Sequence, residues 1–164
     1  MKLSGSRPAA RSDPALYAAA ALSLLAALIH LLVTPEHFEE WWGYGTFFLV
    51  CAIVQGAYAP IVLRWPGRPI LLLGAAGNLA VAILWLVTRT TGIPLLGPHA
   101  GDIEEIGVLD LACTLAEVGV VAGLGALAMR GLATEGRIQV VVVFAASALL
   151  FLHFLHLLAG SSAH

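Results

Sequence analysis

Apolar residues fall in five long blocks, at residues 15–33, 45–63, 70–87, 106–129 and 138–159, with short polar stretches between them. Each block approaches the ~20 residues that an α-helix needs to cross ~30 Å of hydrocarbon at 1.5 Å per residue. Lipid offers no partners to backbone N–H and C=O groups, so the pattern predicts five helices that satisfy these groups internally. The first block is longer than the apolar core of a signal peptide, and no small-residue cleavage site follows it, so it reads as a retained helix.

Composition narrows the class. The chain has 164 residues, 60% of them hydrophobic and 11% charged, with a mean hydropathy of +0.92. A soluble domain carries about 25% charged residues, so this chain has too few polar groups to cover a surface in water. The reading is an all-α integral membrane protein: a multi-pass five-helix bundle in the cell membrane, with tails at 1–14 and 160–164 and one domain at 15–159. The net charge of −2 excludes nucleic acid as an implied partner; the implied partner is the bilayer.

Basic residues set the expected orientation. Lys2, Arg7, Arg11, Arg64, Arg68, Arg130 and Arg137 flank one set of helix ends, and Arg89 alone flanks the other. Lys and Arg concentrate on the cytoplasmic side, which puts the N-terminus inside and the C-terminus outside. The acids lean the other way, with Glu36, Glu39, Glu40, Asp102, Glu104 and Glu105 in the external segments.

Those external segments carry most of the polar chemistry. Residues 34–44 read as a short interfacial helix between the first and second spans. Thr34 is its cap and Pro35 its first residue, and Trp41, Trp42 and Tyr44 suit the headgroup layer. Glu36, His37 and Arg89 form a candidate external lid. Residues 92–101 hold turn-forming Gly and Pro. Asp102 and Glu105 have capping-box spacing for the fourth helix.

Depth within the spans picks out candidate functional residues. Gln55, Asn78 and Glu117 lie near the midpoints of the second, third and fourth blocks and form an expected polar midplane cluster. An acid at that depth has to be protonated, paired or wet. A second layer, roughly 7–11 Å outward at 1.5 Å per residue, holds His30, Asp110, His153 and His156. His153 and His156 share a face, as do Asp110 and Glu117.

Three readings fit imidazoles opposite carboxylates in low dielectric. The set suits zinc, iron or copper, or two histidines can hold a haem iron from both sides. A His–Asp–Glu chain centred on Glu117 can instead serve a proton-coupled transporter. In the third reading these groups are packing glue in a structural subunit. Cys51 and Cys113 read as packing residues. Gly119 and Gly123 form a G-x-x-x-G that suits close helix approach, within the bundle or in a homo-oligomer. No phosphate loop, nucleophile elbow or H-E-x-x-H motif occurs, so no reaction is named.

Overall fold

The computed structural model describes residues 13–94 and 97–130. Among them are four α-helices: α1 (Pro14–Glu40), α2 (Trp42–Arg64), α3 (Arg68–Thr90) and α4 (Val108–Met129). All four are long and apolar enough to cross a membrane. The fifth apolar block, with His153, His156 and His164, lies outside the described residues.

Local chemistry explains the helix starts. The Asp13 side chain accepts from the Ala15 N–H at 3.0 Å, and Pro14 occupies the first turn of α1, where a missing N–H costs nothing. Gly67 precedes α3 and is followed by Arg68-Pro69, which again puts proline in a first turn.

Two sequence expectations are corrected here. Residues 34–40 do not form a separate interfacial helix; α1 runs unbroken to Glu40 with Pro35 inside it. Proline removes one backbone donor, the one that would serve Leu31 O, and crowds the preceding turn; the helix nevertheless continues, and side chains beside it bond back onto its own carbonyls. Thr34 Oγ1 donates to His30 O at 2.7 Å, and His37 Nδ1 lies 2.8 Å from Val33 O. Thr34 therefore bonds backwards along the helix instead of capping a new one. The second correction concerns α4. Asp102 and Glu105 do not cap it, because residues 102–107 are irregular and the helix begins at Val108. Asp110 serves that end, accepting from the Gly107 N–H at 3.3 Å.

The chain reverses between α1 and α2 through one extended residue, Trp41. Such a tight reversal needs a residue without a side chain nearby. A Cβ on Gly45 would sit 2.1 Å from the Phe38 ring. The helices are arranged in the order α2–α1–α4–α3. α1 packs closely on α2 and α4, and α3 packs on α4, whereas α2 and α3 meet at few points and α1 and α3 do not touch. Gly119 and Gly123 of α4 lie against Leu22 and Ala19 of α1, so this small-residue face is used within the chain.

Charge divides the two ends of the bundle. Arg64, Arg68 and Arg130 mark one end, where Arg130 pairs with Asp13 and ties the end of α4 to the start of α1. The opposite, acidic end carries Glu36, Glu39, Glu40, Asp102, Glu104 and Glu105, with Arg89 among them. The core in the basic half is made of Leu16, Ala20, Val62, Ala75, Val120, Leu124 and their neighbours. Outside it, Leu24, Leu28, Leu31 and Leu32 lie exposed along α1, as do Ile53, Val54, Leu73 and Leu115 on other helices. Soluble monomers rarely expose apolar surface this continuously; a bilayer would cover it.

Candidate metal centre

Polar side chains from all four helices meet in the middle of this apolar bundle. Gln55 Nε2 on α2 donates to Glu117 Oε1 on α4 at 2.8 Å and lies 3.2 Å from Asn78 Oδ1 on α3. Asn78 Nδ2 in turn donates to Gly74 O, one turn back on its own helix, at 2.8 Å. His30 of α1 approaches the same carboxylate oxygen, with Nε2 3.2 Å from Glu117 Oε1. Ser23 Oγ, deeper along α1, donates to Gln55 O at 2.9 Å. Glu117 is 1% exposed, and His30, Gln55 and Asn78 are at 4–5%. Carboxylates are almost never buried this deeply unless partnered, and Glu117 has two partners on one oxygen.

Cys113 completes the group. It stands one turn before Glu117 on α4, so the two share a face. Its Sγ is 3.5 Å from His30 Nε2 and 3.9 Å from Ala26 O. One ligand atom each from His30, Cys113 and Glu117 falls within 4.8 Å of the others. The sequence offered a signal for Cys113 in its i, i+4 spacing to Glu117, but a thiol in an apolar run looks like any small packing residue.

The geometry differs from that of a nucleophilic triad. In a Cys–His–acid relay, thiol and carboxylate lie on opposite ring nitrogens, so that the base takes a proton on one side and is oriented on the other. Here both approach the same nitrogen, Nε2. Three donor atoms around one point are what a cation requires. Zinc bonds of about 2.3 Å to sulfur and about 2.0–2.1 Å to nitrogen and oxygen, at tetrahedral angles, put N and S about 3.6 Å apart and N and O about 3.4 Å apart. The observed separations are 3.5 and 3.2 Å.

This group forms part of the wall of a cavity of about 640 Å³ that extends toward the acidic end. His37 and Arg89 also line it, with the His37 ring stacked 3.8 Å from that of Phe48. Glu36, the third candidate lid residue, is exposed and does not line the cavity. Asp110 lines it too but belongs to a different cluster. Arg89 donates to Asp110 and to Glu104, and its Nη1 also donates to Thr88 Oγ1 at 2.6 Å. The Glu104 N–H bonds Thr88 O at 3.0 Å. Arg89 thus joins the end of α3 to the start of α4 and fastens the intervening loop. Of the residues expected to act together, Gln55, Asn78 and Glu117 meet one another and His30, Asp110 meets Arg89, and His153 and His156 lie outside the described residues.

No family model matches this chain, and neither a curated protein nor a solved structure does. The arrangement itself defines the class: a bundle of helices long and apolar enough to cross a membrane, with a buried nitrogen–sulfur–oxygen donor set.

Proposed function

We propose that this protein is a multi-pass membrane protein that binds a transition-metal ion through His30 Nε2, Cys113 Sγ and a Glu117 carboxylate oxygen. The convergence of three ligand atoms from two helices, with N···S and N···O separations close to those of a tetrahedral zinc site, supports this reading. The mixed donor set suits zinc best, since thiolate and imidazole both favour it, and copper or iron next. Three protein ligands leave a fourth coordination position, the pattern of zinc sites that react or exchange ligands, in contrast to closed structural ones. Gln55 holds the carboxylate in place, as hydrogen-bonded neighbours of metal ligands do.

In this proposal the basic end of the bundle faces the cytoplasm, and the cavity and its acidic rim face outward. A rim rich in carboxylates raises the local concentration of divalent cations. The cavity would then be the route by which the ion arrives.

A second reading draws on the hydrogen-bonded chain from His30 through Glu117 and Gln55 to Asn78. In such a chain His30 and Glu117 can exchange a proton without a metal, while the Gln55 and Asn78 amides hold the carboxylate in place. Elemental analysis of the protein purified without chelator separates the two. The metal reading predicts about one equivalent of zinc, copper or iron per chain, retained through gel filtration. Less than a tenth of an equivalent, together with failure to take up added zinc, would favour the proton chain.

A further inference from the structure

The cavity is larger than a metal ion needs. At about 640 Å³ it falls in the range of pockets that enclose small organic molecules, 300–1,000 Å³. Its wall also has a chemical bias that the metal centre does not use. Trp85 Nε1 and Arg89 Nε are buried and have no hydrogen-bond partner among the described residues. Both belong to residues of α3 that line the cavity, the nitrogens themselves lying just beneath its surface. Indole and guanidinium nitrogens of this kind can only donate. Buried donors without acceptors are rare enough in folded proteins to call for a partner.

Charge limits what that partner can be. The two Nη groups of Arg89 already face the Glu104 and Asp110 carboxylates, so the cluster carries more negative than positive groups. Glu40 and Asp102 add to the same wall. An anion would meet net repulsion there, and a cation has nothing to gain from N–H donors. An uncharged acceptor oxygen fits both constraints.

The remaining lining sets the ligand's shape. Trp41, Phe47, Phe48 and Trp85 present aromatic surface, which favours a flat ring through offset or edge-on contacts. Residues of α2 and α3 both contribute to the wall.

We propose that this cavity binds a quinone-type molecule, a flat uncharged ring with acceptor carbonyl oxygens, the Trp85 and Arg89 side chains turning to place Nε1–H and Nε–H against one carbonyl. His30 of α1 also lines the cavity and has its Nδ1 buried without a partner. That nitrogen becomes a donor to the second carbonyl whenever Nε2 is occupied by a metal. Binding through the α3 pair does not depend on the metal reading.

Isothermal titration calorimetry tests this on the full-length, chelator-treated protein in detergent, with decylubiquinone as the probe. Chelation separates the outcome from that of the metal proposal. Saturable binding of one molecule per chain is expected, beyond partitioning into detergent alone. Trp85→Phe keeps the ring and removes the donor, so affinity should fall roughly five- to tenfold, the usual worth of one hydrogen bond. Arg89→Lys keeps the charge opposite the two acids and removes the Nε–H, and should weaken binding by a similar factor. Trp65→Phe, at the opposite end of the bundle, should change nothing. Helicity and thermal unfolding confirm that each variant is folded. Absence of saturable binding would overturn the proposal, as would equal affinity in wild type, Trp85→Phe and Arg89→Lys. Displacement of the quinone by dioleoylglycerol at comparable or higher affinity would assign the cavity to a lipid ester, which also overturns it.

Discussion

Glu117→Ala is expected to be the most destabilising single change in the described part of the chain, by about 3–5 kcal/mol. Two effects combine. His30 Nε2 and Gln55 Nε2 both approach Glu117 Oε1, and each buried group left without a partner costs ~1–3 kcal/mol. Removing the side chain also opens a void at a position 1% exposed, and the lining recovers only part of that loss. Glu117→Gln should behave differently. An amide oxygen still accepts from Gln55 and the volume is preserved, so the fold should lose no more than ~1.5 kcal/mol. Its metal affinity should nevertheless drop sharply, because a neutral amide oxygen replaces a charged ligand. Unfolding in mixed micelles, followed by helicity, measures the first quantity, and a competing chelator measures the second. Equal stability of the Ala and Gln variants would mean that the interior network contributes little to the fold.

Cys113→Ser should separate fold from metal binding in the same sense as Glu117→Gln. The thiol makes only long contacts, at 3.5 Å to His30 and 3.9 Å to Ala26, so replacement by a smaller hydroxyl should cost the fold about 1–2 kcal/mol at most. Loss of a direct ligand should weaken metal binding beyond the 10–100-fold typical of changes to groups that only orient ligands. With cobalt substituted for the native ion, wild type should show a thiolate-to-metal charge-transfer band in the near ultraviolet, and Cys113→Ser should lack it. A Ser variant with unchanged affinity and an unchanged cobalt spectrum would remove Cys113 from the site.

The parts of this site that the sequence made legible share one property: they depend on position along a helix axis. Counting residues from the ends of each apolar run places Gln55, Asn78 and Glu117 at one depth, because a spanning helix has a fixed rise and few ways to slide. The four observed helices follow the first four apolar runs for the same reason. What depends on azimuth or on local exchange of hydrogen bonds was harder to read. Cys113 is indistinguishable from a packing residue until the rotation of α4 against α1 brings it to His30. Pro35 has the sequence context of a helix start, and only the fold shows that Thr34 bonds back to His30 O and that the helix continues through the proline. Asp102 and Glu105 have the spacing of a cap, yet Asp110 serves α4 because it also meets Arg89, twenty-one residues away along the chain. Pairings that are distant in sequence carry no local signature.

The same contrast bears on the two ends of the bundle. Segregation of Arg64, Arg68 and Arg130 from the acidic residues is visible in the sequence and recurs in the fold. The pairing of Arg89 with Glu104 and Asp110 is not visible there. It explains how a lone cation is held 89% buried in its side chain at the acidic end: two carboxylates and the face of Trp85, 5.6 Å from the guanidinium carbon, surround it.

X-ray absorption at the metal edge, on protein purified without added metal, tests the central claim most directly. The proposed site predicts a four-coordinate shell with one sulfur at about 2.3 Å and the remaining ligands nitrogen or oxygen at about 2.0–2.1 Å, the sulfur contribution vanishing in Cys113→Ser. A shell made only of nitrogen and oxygen in the wild-type protein, or a sulfur contribution that survives Cys113→Ser, would contradict it.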